Sequence, residues 1–155
     1  MAEHVTREAF EAVRDASVGQ LLMKAGRLVN ERALARVPEG PGGLRLRPSH
    51  TALFPHVDFE GTRMSTLAER LGVTKQAVSQ LVGDLEVMGV LRRTPDPSDG
   101  RAKLVVFADE GLAIMMHGLS VLATVDAELE ETLGERRYAT LRRALGDVVA
   151  RLEEG

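Results

Sequence analysis

Apolar residues at Val18, Leu21, Leu22, Ala25, Leu28 and Val29 recur every three or four positions, and this spacing predicts helix from Val5 to about Val37. Gly19 and Gly26 argue against one unbroken helix, because glycine weakens a helix interior. The run Pro38-Glu39-Gly40-Pro41-Gly42-Gly43 ends the stretch. Pro48 suits the first turn of a second helix, which carries Ala52, Leu53 and Phe54 and reaches about Val57. After a break at residues 58–61, a third helix begins near Ser65 as N-cap and buries Leu67, Ala68 and Leu71. Gly72-Val73-Thr74 then forms a tight turn. Thr74 caps a fourth helix from Lys75 to about Met88, with Ala77, Val78, Leu81, Leu85 and Val87 inward and Gly89 as its left-handed stop.

The period then changes. Residues 90–93 and 103–107 read as two short strands, separated by a polar loop, Pro95 to Gly100, dense in turn formers. Two strands placed directly after a helix-turn-helix make the wing of a winged helix. A long helix from about Asp109 to Leu133 follows, striped with Leu112, Met115, Met116, Leu119, Leu122, Val125 and Leu129. Gly134 breaks it, and a last helix carries Tyr138, Leu141, Leu145, Val148, Val149 and Leu152. The fold class is mostly α with a small β component. It is one domain over residues 1–155, with a winged helix at 44–108 between terminal helices at 5–37 and 109–153.

Composition narrows the chemistry. At 155 residues the chain supports one real core. Aromatic residues are 3% of the chain, with no tryptophan, so packing rests on Leu, Val, Ala and Met. The absence of cysteine excludes disulfides, thiolate metal sites and cysteine nucleophiles. No secretory leader is visible at the N-terminus and no apolar run approaches the ~20 residues of a membrane span, so a soluble, cytoplasmic protein is expected. Net charge is −3, yet between Gly61 and Lys103 seven basic residues face five acidic ones. That central third is the region suited to a polyanion.

The stretch from Met64 through Val82, continuing through Asp84-Leu85-Glu86 and Gly89, resembles the helix-turn-helix of MarR-family regulators. The wing, Asp96 to Lys103, resembles theirs too: Asp99 and Arg101 form the Asp-x-Arg mark, and Glu110-Gly111 opens a long helix. The matched block spans roughly residues 44–112. Phe107-Ala108 stands where the family usually has Leu-Thr, so Asp109 is expected to cap the long helix instead. The resemblance implies a DNA-binding transcription regulator, a repressor, with no enzymatic activity. It also implies a homodimer whose intertwined terminal helices match a palindromic site on double-stranded DNA. A small-molecule effector is implied as well, often aromatic or anionic, held between those helices and the winged helix. Its pocket residues cannot be read from the sequence.

A recognition helix in the major groove offers its outward N-terminal side chains to base edges, here Lys75, Gln76, Ser79 and Gln80. Ser65, Thr66 and Thr74 at helix N-termini suit phosphate oxygens. Arg101 at the wing tip suits the minor groove, with Arg92, Arg93 and Lys103 on the DNA backbone. Asp99 orients Arg101 through a charge-assisted hydrogen bond, as the resemblance implies.

Other features carry little. Gly40-Pro41-Gly42-Gly43 lacks the Gly-Lys-Ser/Thr ending of a phosphate loop. His56, Asp58 and Glu60 are too weakly spaced for a metal site, Ser49 and His50 point apart on a helix, and Met115 and Met116 read as core. Neither a metal nor a cofactor is expected. The net negative charge keeps one alternative open: a dimeric winged-helix module that binds protein rather than DNA.

Overall fold

The N-terminal helical stretch is two helices. The computed structural model describes residues 6–154, so the expected start at Val5 lies outside the described residues. Helix α1 (Arg7–Ala16) stops at Ser17, whose amide donates to the Arg14 carbonyl at 3.2 Å. The Ser17 hydroxyl then accepts the Gln20 amide and caps α2 (Val18–Leu34). The break thus comes from a capping serine, and Gly19 and Gly26 lie inside α2.

The second expected helix is shorter. Helix α3 (Pro48–Thr51) ends after one turn, and Phe54–His56 forms a 3-10 turn. Pro55 explains this. It has no amide hydrogen, and in a continued helix its ring would meet the Thr51 carbonyl.

A strand absent from the expectation precedes the helix-turn-helix. Strand β1 (Thr62–Arg63) pairs antiparallel with β3 (Asp99–Phe107), Thr62 opposite Val105 and Arg63 opposite Leu104. Arg63 is extended and forms the N-cap of α4 (Met64–Leu71), so Ser65 sits inside the first turn and is not the cap. Gly72 closes α4 at φ 64°, a left-handed geometry that favours glycine. The Thr74 hydroxyl accepts the Ala77 amide at 3.1 Å and starts α5 (Lys75–Val87), as expected. Val87 departs from its inward assignment: it is 57% exposed, while Val82 is fully buried.

The wing is tighter than expected. Strand β2 (Leu91–Asp96) and β3 leave only Pro97 and Ser98 for the turn. The sheet order is β1-β3-β2, which makes β2 an edge. An edge tolerates Pro95, and the register slips beside it. Helix α6 (Gly111–Leu133) begins after Glu110, and Asp109, its side chain 98% exposed, does not cap it. Gly134 at φ 77° turns the chain into α7 (Glu135–Glu153).

Two apolar clusters hold the chain. The larger joins α4, α5 and the sheet through Leu53, Leu67, Val78, Val82, Leu85, Leu91 and Val105. Burying each leucine contributes roughly 1.5–3 kcal/mol. The smaller joins α2 to α6 through Ala33, Val121 and Val125. Helix α6 is long and apolar enough by length and composition to cross a membrane, against the expectation that no apolar run approaches that length, and Val121 and Val125 on it are buried against α2. His117, Ser120 and Thr124 interrupt its apolar run without charging it. Phe10, Val13, Leu21, Met116, Leu119, Val149 and Leu152 are all exposed on the terminal helices. Of the large apolar residues exposed elsewhere, only Phe59, Val73 and Val87 occur among the described residues.

Candidate nucleic-acid interface

The exposed side of α5 is set by what the helix buries. Val78, Val82 and Leu85 are fully buried, which leaves Lys75, Gln76, Ser79 and Gln80 exposed. The structure therefore brings these four onto the free side of the helix, as the sequence predicts. Ser79 is engaged, however. The Arg93 guanidinium donates to the Ser79 carbonyl at 3.0 Å and reaches its hydroxyl at 3.4 Å. The same guanidinium pairs with Glu86 at 3.0 Å, and Glu86 accepts the Arg93 amide at 3.0 Å. Arg93, which the sequence reading placed on the DNA backbone, is thus also a strut between the wing and α5.

Arg92, on the neighbouring position of β2, lies 4.0 Å from Asp109 and is half-exposed. Ser65 is exposed and Thr66 half-buried in the first turn of α4. Arg63 provides no side-chain cap there, so the first amides of α4 have no side-chain acceptor. The Thr74 oxygen is occupied by capping, which leaves its hydroxyl hydrogen to donate elsewhere.

At the wing, Asp99 accepts the backbone amide of Arg101 at 3.1 Å. It shapes the turn, and makes no ion pair with the Arg101 side chain as the resemblance had implied. The carboxylate that anchors the wing is Asp96. It is 5% exposed and accepts the Ser98 amide at 2.8 Å, the Ser98 hydroxyl at 2.6 Å and the Arg63 guanidinium at 2.6 Å. The hydrogen bonds from Ser98, with the Arg63 charge beside them, outweigh burial and hold its pKa down at about 2. Arg63 thereby ties the wing turn to the start of α4. Sequence reasoning missed this pair because its members are 33 residues apart.

A second polar cluster fastens α3 to α5. His50 is fully buried; its Nδ1 accepts the Arg47 amide at 3.1 Å and its Nε2 lies 3.2 Å from Asp84. With Nδ1 accepting, the neutral ring donates from Nε2 to Asp84. Burial, joined by the Arg47 charge, lowers the His50 pKa against the opposing pull of Asp84.

Ion pairing sorts the cations of the winged helix. Arg45, Arg47, Arg63, Arg70, Arg92 and Arg93 each have a carboxylate partner. Among the described residues, Lys75, Arg101 and Lys103 have none, and all three are exposed. The uncompensated positive charge therefore sits at the N-terminus of α5 and on β3 of the wing. No group of His, Asp and Glu able to hold a metal ion occurs among the described residues, and Asp58 of the weak trio is paired with Arg70.

Residues 49–102 match a family model described as the MarR family. No curated protein matches the sequence. The fold is similar to that of the transcriptional regulator Tm0710 from Thermotoga maritima, at 24% identity and a TM-score of 0.65, over 88% of this chain and 94% of that one. It is similar to wild-type MarR from E. coli in its apo form, at 20% identity and a TM-score of 0.69, over 85% of this chain and 96% of that one. It is also similar to the transcriptional repressor CouR bound to a 23-mer DNA duplex, at 24% identity and a TM-score of 0.60, over 96% of this chain and 99% of that one.

Proposed function

We propose that the chain is a member of the MarR family and a dimeric, cytoplasmic, DNA-binding transcription regulator: a ligand-responsive repressor of a palindromic operator, without enzymatic activity. The observation that carries this reading is the placement of the three unpartnered cations, Lys75, Arg101 and Lys103, on the recognition helix and the wing. Cations held by neighbouring carboxylates are poor counterion-releasing contacts, whereas these three are free to meet phosphates and base edges. The likeness to a repressor solved on duplex DNA supports the repressor role.

In this reading α5 enters the major groove, with Gln76 and Gln80 toward base edges and Lys75 toward guanine or phosphate. Arg101 reaches into the minor groove from the wing tip. Ser65, Thr66 and Thr74 meet the backbone between them. Arg63, Asp96 and Arg93 act one step back, fixing the angle between wing and helix.

The dimer is supported by the exposed apolar residues of the terminal helices. Helix α7 buries none of its side chains within its own chain, yet presents Leu141, Leu145, Val148, Val149 and Leu152. A second copy is the partner that symmetry makes available.

The test is selection of fragments from random duplex DNA by the purified protein, with its mass in solution measured alongside. A dimer that enriches an inverted repeat, with affinity falling steeply as salt is added, is the expected result. Failure to enrich any sequence at low salt overturns the regulator reading in favour of a protein-interaction module.

A further inference from the structure

A cavity of about 290 Å3 lies where the two apolar clusters approach each other. Ala33 and Val37 of α2 line one side, Phe54 and Val90 of the winged helix another, and Met115 and Leu122 of α6 close it. The volume lies just below the range for drug-sized ligand pockets, about 300–1,000 Å3, and suits a small ligand. Among the described residues, no charged side chain lines it, and its exposed lining residues, Pro55, Ile114 and Leu119, are apolar.

Two lining side chains, Asn30 and Thr51, are polar, and they bond to each other. The Asn30 amide donates to the Thr51 hydroxyl oxygen at 3.0 Å, and that hydroxyl can donate to the Pro48 carbonyl at 3.0 Å. The same hydroxyl lies 3.3 Å from the Asn30 carbonyl oxygen, so Asn30 keeps one amide hydrogen without a partner and a second lone pair on that oxygen, a single neutral donor–acceptor station in an apolar wall. Gly118 opens the far wall. A Cβ at that position would meet nothing within 4 Å, although glycine weakens a helix interior.

We propose that this cavity binds a small uncharged molecule, one or two apolar rings bearing a single hydroxyl or amide group, and discriminates against carboxylates. The inference deepens the effector reading above and rests on it for any consequence at the DNA. The physical reason is desolvation. Apolar rings gain by leaving water, and one neutral polar group finds Asn30. A carboxylate placed there loses its hydration with no cation to meet it. The ligand touches both the dimerisation helices and the winged helix, so its occupancy bears on the angle between them.

The experiment uses the full chain without DNA, titrated at neutral pH with 2-naphthol and, separately, with its charged counterpart 2-naphthoate. Calorimetry reads binding and a thermal melt reads stabilisation. 2-Naphthol is expected to bind and raise the melting temperature, with 2-naphthoate at least about tenfold weaker. Gly118→Leu, which projects into the cavity, is expected to abolish naphthol binding while the ligand-free melt reports whether it folds. Gly118→Ala, whose Cβ meets only open space, is expected to weaken binding and serves should leucine prevent folding. Equal or tighter binding of the carboxylate overturns the proposal, as does undiminished binding by a folded Gly118→Leu or, failing that, by Gly118→Ala. Binding of neither compound, the outcome if side chains of a second copy fill the space, also overturns it. Because DNA is absent, the result is independent of the operator selection, and each reading can fail alone.

Discussion

Two glycines seven positions apart in α6 should respond oppositely to the same substitution. At Gly111, a Cβ would lie 2.1 Å from the Val90 carbonyl oxygen and 2.9 Å from its carbon, whereas ordinary contact begins near 3.4 Å. The start of α6 and the backbone before β2 must then part by roughly 1.3 Å on the oxygen distance. Backbone cannot turn aside as a side chain would, and the same oxygen accepts the Ala108 amide at 3.0 Å. Overpacking costs about 1–3 kcal/mol and the weakened hydrogen bond about 1 kcal/mol more, so Gly111→Ala should lose roughly 2–4 kcal/mol. At this chain length that lowers the melting temperature by about 5–15 °C. Gly118→Ala meets no neighbour within 4 Å and relieves a helix-interior glycine. It should gain about 0.5–1 kcal/mol, or roughly 1–4 °C. The assay is thermal unfolding followed by far-UV circular dichroism, at one fixed protomer concentration because the proposed dimerisation would couple to stability. A Gly111→Ala protein that melts with the wild type, or two alanine variants that shift alike, would refute the close approach of α6 to Val90.

At the proposed interface, Arg101→Ala and Gln76→Ala should each weaken binding to the selected operator by about 1–3 kcal/mol, measured by fluorescence anisotropy. Retained affinity in both sinks the docking model. Asp96, with its pKa lowered to about 2, contributes stability that is complete above the ordinary value of 3.8 and is lost as pH falls through about 2. Arg63→Ala should raise that pKa only part of the way, since Ser98 still donates; a carboxylate titration by NMR showing no change would contradict the ion pair. His50, its pKa lowered from 6.5, is stabilising while neutral. The unfolded chain takes up its proton first, so stability should fall as pH drops below 6.5 toward the folded value. Melts of the wild type and His50→Gln between about pH 7.5 and about pH 5.5 check this, and parallel pH dependence in the two proteins would rule it out.

The sequence by itself determined what local chemistry can decide. Helical period placed α5 to within a residue. Thr74 and Gly89 marked its ends because a capping hydroxyl and a left-handed glycine act within a turn of where they stand. The Asp-x-Arg motif located the wing for the same reason. The expected second helix failed at Pro55, a signal present in the sequence that outweighed the apolar spacing around it. Tertiary structure decided the rest. Strand β1 is two residues long and exists only because β3, some forty positions later, offers it a ladder; Arg63 then displaces Ser65 as the cap of α4. Asp96 rather than Asp99 anchors the wing, and Arg93 braces the recognition helix, because their partners come from other elements of the fold. Which cations remain available to a polyanion is fixed by subtraction, once every other cation in the winged helix has found a carboxylate. That subtraction runs through distances in space, which a charge count along the chain does not contain.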